Sequence, residues 1–316
     1  MNKNIKITII TVISLLIFLL IVFIVSNIIA YKILCPKQDN TVNSGRFYMI
    51  KKPFNFKLWK KLRFKGNKNS IKLRPAFGTE YKNPGVILLG CEYMYGERLT
   101  PEQTLGAKLS KIMKAPVYNI SIPGGGLQHA LFQVESSDYD DEIENSKYAV
   151  LLITGEHIWR IKTYSNGYYQ EPYVWPVFDI NKDGILVPHK YTLFERTYIY
   201  QYLNKLYWQI FASFDSKFDL VKEHIVKLNQ DLKEINSNII FIVILFADND
   251  HGLEFLTSPR WYELQEQGIN VIDADELSLR NNISISDQKY RIEGDGHPSE
   301  KVWDVLAPEI AKELNK

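Results

Sequence analysis

The side chains of this sequence that could do chemistry cluster where apolar runs stop. Gly90-Cys91-Glu92-Tyr93-Met94-Tyr95-Gly96 follows Val86-Ile87-Leu88-Leu89, and Pro123-Gly124-Gly125-Gly126 follows a second run. Gly155-Glu156-His157 follows a third and Asp248-Asn249-Asp250-His251 a fourth, while Asp295-Gly296-His297-Pro298-Ser299 precedes the last amphipathic stretch. Carboxylates, imidazoles and glycine-rich turns in such places are the materials of acid–base catalysis and of anion binding. Asp248, Asp250 and His251 have metal-ligating side chains, yet a polar loop after a strand accounts for them, and neither metal nor cofactor is expected. Gly124-Gly125-Gly126 lacks the Lys and Ser/Thr of a phosphate-binding P-loop, so a tight turn is sufficient reason for it. Cys91 is chemically the better nucleophile, but adjacent strand residues point to opposite faces. It is expected to pack under the sheet as a small apolar side chain. The only other cysteine is Cys35, and no disulfide framework is implied.

Five short apolar runs must position these groups: residues 86–89, 117–121, 148–154, 239–246 and 269–273. Runs apolar on both faces are what a parallel sheet covered by helices requires. Helical patterns separate them. Thr100-Pro101-Glu102-Gln103 reads as a capping box ahead of Leu105, Leu109, Ile112 and Met113. A long amphipathic helix is expected over residues 218–235, and a final one after Ser299 as cap, with Val302, Trp303, Leu306, Ile310 and Leu314 on its core face. Strands alternating with helices predict a doubly wound α/β sheet with its ligand site beyond the carboxyl ends of the strands. Residues 86–89 are expected at its centre. Residues 158–213 stand apart as an insert rich in Tyr, Trp and Phe, with a helix expected over 195–211. The insert reads as the packing of an irregular segment, with stacking on sugar rings as the sharper alternative.

Taken together, the strand-end segments resemble the SGNH (GDSL-type) hydrolase family over residues 86–314, leaving the insert unmatched. The family has a doubly wound, flavodoxin-like sheet and hydrolyses esters, often acyl groups on lipids or carbohydrates. Its first block is Gly-x-Ser-x-x-x-Gly. Gly90, Glu92 and Gly96 occupy it here, so the position of the nucleophilic Ser holds Glu92. The second block supplies an oxyanion glycine, and Asn119-Ile120-Ser121-Ile122-Pro123-Gly124 nominates Gly124. The third is Gly-x-Asn-Asp, in which His157 takes the place of the Asn that donates to the oxyanion. The last is an Asp and a His before the final helix. His297 matches it, with Asp295 two residues before it instead of three. The resemblance thus implies Glu92, His297 and Asp295 as the catalytic positions and Gly124 and His157 as oxyanion donors. A carboxylate cannot replace a Ser hydroxyl in acyl transfer, because its acyl product is a reactive anhydride. Facing His297, Glu92 is expected to form an ion pair that disables the imidazole as a base. His157 is expected either to serve the oxyanion or to hydrogen-bond Glu92. Two functions follow: an ester hydrolase or acyl transferase of altered chemistry acting on envelope carbohydrate or lipid, or an inactive relative that binds a glycan or protein partner.

The amino-terminal part sets the context. Residues 7–31 carry no charged side chain and are mostly Ile, Leu, Val and Phe. At 1.5 Å of rise per residue, about 20 apolar residues cross a ~30 Å hydrocarbon core. The run is expected to be an uncleaved, single-pass transmembrane helix, with the lipid bilayer as partner and residues 1–6 as a short tail. Residues 32–80 are expected to form a juxtamembrane linker. Residues 32–74 hold thirteen of the 38 basic residues and only Asp39 as an acid. From Pro75 onward, 23 basic residues face 35 acidic ones. A basic collar would rest on anionic headgroups, and the acidic domain beyond it, residues 81–316, is unsuited to nucleic acid. The domain is expected on the extracytoplasmic side.

Overall fold

The computed structural model describes residues 15, 18–26, 28–29, 76–162, 177–182, 185–189, 198–247, 253–285 and 287–316. Of the apolar run, residues 15, 18–26, 28 and 29 are helical, with large side chains such as Phe18 and Ile21 exposed. Among the described residues no helix is long and apolar enough to cross a membrane. The basic collar and the loop carrying Asp248, Asp250 and His251 lie outside the described residues.

Five parallel strands make the main sheet: β1 (Gly85–Leu89), β2 (Val117–Asn119), β3 (Ser146–Thr154), β6 (Ile240–Phe246) and β7 (Asn270–Asp273), in the order β2-β1-β3-β6-β7. This is the flavodoxin-like doubly wound order, in which the winding reverses after β2. The reversal makes β3 the middle strand and moves β1 one place from the centre, a correction to the expected position of residues 86–89. A separate antiparallel hairpin, β4 (Phe178–Ile180) and β5 (Leu186–Pro188), lies in the insert.

Alternation along the strands divides the core in two. Ile87 and Leu89, Ala149, Leu151 and Ile153, and Val243 and Leu245 face one buried cluster. Val86 and Leu88, Val150 and Leu152, and Ile242, Ile244 and Phe246 face the other. All these side chains are buried, which explains why the strands read as unbroken apolar runs. Short helix α1 (Glu92–Tyr95) leaves β1, and α2 (Leu105–Met113) follows it. Helix α3 (Leu127–Glu135) leaves β2, and one-turn helix α4 (His157–Arg160) leaves β3. Helices α5 (Tyr198–Ile210) and α6 (Phe214–Ile235) precede β6, and α7 (Glu300–Leu314) closes the chain. Helices α3 and α6 cover the first cluster, α2 and α7 the second. Cys91 belongs to the second cluster as a buried side chain.

Local chemistry moves several expected boundaries. The capping box at Thr100 and Gln103 closes a 3-10 turn over Pro101–Gln103, and α2 starts afresh with the Ala107 N–H donating to Thr104 Oγ1. Helix α6 begins four residues early because Ser213 Oγ accepts the Ser216 N–H. Ser299 sits at the start of α7 without a side-chain capping hydrogen bond. Phe77, before the strands, exchanges backbone hydrogen bonds with Val117.

Candidate active site

Glu92 opens the one-turn helix at the carboxyl end of β1. Gly90 makes the sharp exit possible. Its φ is +151°, and a Cβ there would stand 3.1 Å from the Leu152 carbonyl oxygen of β3. Gly96 ends the turn in the left-handed conformation, with its N–H donating to the carbonyls of Glu92 and Tyr93. Asn119, the last residue of β2, donates from Nδ2 to the Met94 carbonyl at 2.8 Å and ties the turn to the neighbouring strand. Next door, Gly125 is enclosed so tightly that a Cβ would meet the Ile122 carbonyl oxygen at 2.7 Å.

The Glu92 carboxylate is almost wholly buried and fully engaged. Arg160 grips it with both arms, Nη1 to Oε2 at 2.8 Å and Nη2 to Oε1 at 2.7 Å. The Gly124 N–H donates to Oε2 at 2.9 Å. Arg160 is held in turn by the Gly125 carbonyl at 3.2 Å and by the Glu156 carboxylate one helical turn back. Burial by itself would raise the Glu92 pKa. The Arg160 charge and its hydrogen bonds outweigh burial and hold the carboxyl at about 2. Burial alone would lower the Arg160 pKa, but Glu92 above all, with Glu156 adding to it, keeps the guanidinium protonated well beyond its ordinary range. The Gly124 N–H, implied as an oxyanion donor, is therefore occupied by a resident carboxylate oxygen.

His157 is fully enclosed. Its Nδ1 accepts the Thr154 N–H at 3.3 Å, so in the neutral ring the proton sits on Nε2. Burial first, and Arg160 second, depress its pKa to about 3. His129 on α3, which accepts the Gly126 N–H at Nδ1, is depressed to the same value by burial and Arg160. Both imidazoles stay neutral beside the guanidinium.

The segment around His297 is built differently. Gly294 and Gly296 adopt positive φ (72° and 83°), and the segment folds back so that the Ile292 N–H donates to the His297 carbonyl. The two-residue spacing thus suffices for Asp295 to hydrogen-bond His297 Nδ1. Asp295 also pairs with Arg98 Nε at 2.9 Å. His297 Nε2 lies 4.0 Å from Glu97, and its ring meets Tyr93 edge-on at 5.2 Å. Burial raises the Glu97 pKa, and the His297 charge acts against it. The ion pairs of Glu92 and His297 are thus made with other partners, Arg160 and Asp295 respectively, and the expected Glu92–His297 pair is absent among the described residues.

Arg160 is the site residue that the strand-end reading misses. It lies one helical turn beyond the end of β3, and its side chain turns back across to Glu92. The available signal is a guanidinium set directly between Trp159 and Ile161, after Ile158.

No protein-family model matches the sequence, and no curated protein matches it. Among solved structures the chain is similar to a lipolytic protein of the G-D-S-L family from Veillonella parvula, with 12% identity over 73% of this chain and 98% of that one, at a TM-score of 0.42. It is also similar to the lipase Lip_vut3 from a goat rumen metagenome, with 10% identity over 73% of this chain and 96% of that one, at 0.44. A third is the acetyl xylan esterase Est2A from Butyrivibrio proteoclasticus, with 10% identity over 74% of this chain and 64% of that one, at 0.40. The α/β assignment itself stands on the strand order and the five-stranded parallel sheet with its flanking helices.

Proposed function

We propose that this chain is a membrane-anchored, SGNH-hydrolase-like binding protein whose cleft holds an acylated carbohydrate or lipid without forming an acyl-enzyme. One observation carries the reading: the side chain at the nucleophile position is a carboxylate clamped by Arg160 and by the backbone N–H that would otherwise receive an oxyanion. Three chemical consequences follow. A carboxyl held near a pKa of 2 is a feeble base for activating water near neutrality. Both of its oxygens are committed, so neither is free to attack. A substrate carbonyl approaching Gly124 meets negative charge where it needs a donor.

The segment around His297 holds the Asp295–His297 pair, with Tyr93 and Glu97 beside it. These polar groups and the aromatic edge suit hydroxyl-rich ligands through hydrogen bonds. The alternative reading, a hydrolase acting through Glu92, asks a clamped carboxylate to leave Arg160 during turnover. The anchor is supported by the 25 uncharged residues 7–31. An extracytoplasmic domain, facing envelope material, is the placement proposed with it.

The test pairs binding with turnover. Acetylated xylo- and chito-oligosaccharides are titrated into the full-length protein by calorimetry, and released acetate is followed by NMR in the same samples. Saturable heat without acetate release is expected. Acetate release that disappears in Glu92→Gln would overturn the proposal in favour of hydrolysis.

A further inference from the structure

Helix α5 carries an apolar stripe that no described residue of the domain covers. Leu203, Tyr207 and Ile210 recur at helical spacing, and Phe211 continues the stripe just past the helix end. Their exposures are 52%, 59%, 66% and 71%. Tyr207 and Phe211 stack at 6.1 Å, so the surface is continuous and not a set of isolated side chains. The other side of the helix is fastened to the domain. Trp208 Nε1 donates to the Ile158 carbonyl and Asn204 Nδ2 to the Lys162 carbonyl, both at 3.1 Å. Those two carbonyls flank Arg160, so the bare stripe stands one helix away from the Glu92–Arg160 clamp.

Contiguous exposed apolar surface marks an interaction site. The composition of α5 narrows the partner. Its thirteen residues include four Tyr and one Trp, no acid and a single cation, Lys205. Aromatic side chains with a polar tip and a one-sided apolar face suit a helix that lies in a membrane interface. The same chain brings a bilayer within reach through residues 7–31, and the basic residues between 32 and 74 favour an anionic surface.

We infer that α5 is a membrane-docking helix: Leu203, Tyr207, Ile210 and Phe211 enter the lipid interface and hold the Glu92–Arg160 cleft at the bilayer surface. This deepens the binding function proposed above and rests on its membrane anchor. It assigns the ligand to the lipid-borne class, an acylated lipid or lipid-linked carbohydrate reached from the bilayer.

The test uses full-length protein in vesicles of phosphatidylcholine and phosphatidylglycerol containing a phospholipid with a diazirine in its acyl chain. After irradiation, lipid adducts are mapped by mass spectrometry. Adducts are expected in two places, residues 7–31 and residues 198–211. The double substitution Tyr207→Glu, Phe211→Glu changes only exposed side chains. It should cut the second set by about tenfold or more, since two apolar side chains lose their burial in lipid, and leave the first set unchanged. Adducts in 7–31 alone overturn the docking and spare the anchor. Adducts in 198–211 alone overturn the anchor and leave the docking standing. Adducts in neither overturn both. Protein–protein cross-links joining residues 198–211 of two copies, in place of lipid adducts, assign the stripe to self-association and overturn the proposal.

Discussion

The surroundings of Glu92 and of His297 are built in opposite ways. Both oxygens of Glu92 are engaged by the protein itself, and the group is almost sealed from solvent. Around His297 the Asp295 pair is present, the ring is partly exposed, and Glu97 lies 4.0 Å from Nε2. One is closed on itself by a buried ion pair, while in the other a carboxylate holds the Nδ1 side of a partly exposed imidazole. The difference teaches that one buried charge pair can occupy a carboxylate and a backbone donor together while nearby polar groups stay available for recognition.

The comparison breaks most visibly if one partner of the clamp is removed. Glu92→Ala or Arg160→Ala alone should destabilise the domain by about 3–5 kcal/mol, because each leaves a buried charge uncompensated. The double replacement Glu92→Met, Arg160→Met should recover most of that loss, as apolar pairs commonly do in place of a buried ion pair. Chemical denaturation checks both. Equal losses in the single and double variants would mean that the pair is not coupled.

Acid should act on the Glu92 surroundings next. The Glu92 carboxyl, held at about 2, contributes stability above its ordinary pKa of 4.5 that is lost as the pH falls toward 2. His129, His157 and His224, each depressed to about 3 mainly by burial, act in the same direction. Between the ordinary 6.5 and 3 the unfolded chain binds protons that the folded chain refuses, so stability drops across that window. Thermal unfolding from pH 7.5 down to pH 4 should show a steady decline, and His224→Phe should flatten it. A stability flat across this range would contradict neutral buried imidazoles.

The His297 surroundings should respond least. Asp295→Asn removes a partly exposed pair with Arg98 and the partner of His297 Nδ1, and should cost at most about 1 kcal/mol. The same change should weaken ligand binding measured by calorimetry. A loss as large as that of Arg160→Ala would make both surroundings structural.

Much of this cleft is legible in the sequence, and the reason is topological. Glu92, Gly124 and His157 lie just after strands, so the parallel sheet alone places them at the carboxyl ends of its strands, and His297 precedes the last helix. Arg160 is hidden because its role comes from a side chain reaching back from the next helix to a strand two places earlier in the chain. No periodicity encodes that contact. Similarly, the expected Glu92–His297 pair assumed that neighbouring motif positions must meet. A guanidinium with five donors outcompetes an imidazole for a buried carboxylate. The insert resisted reading for another reason. Its β4–β5 hairpin consists of two three-residue strands, too short to establish an alternation.

The central claim is that the Arg160 clamp leaves Glu92 unable to serve as base or nucleophile, and ester turnover tests it most directly. Wild type, Glu92→Gln, His297→Ala and the double variant Glu92→Ser, Arg160→Met are assayed side by side on p-nitrophenyl acetate near pH 7.5. The clamp predicts that wild type, Glu92→Gln and His297→Ala share one rate near background, and that any activity dependent on His297 arises only where a Ser replaces Glu92 and the clamp is gone. A wild-type rate well above background that collapses in Glu92→Gln would contradict it, because the carboxylate would then be doing the chemistry that Arg160 is held here to prevent.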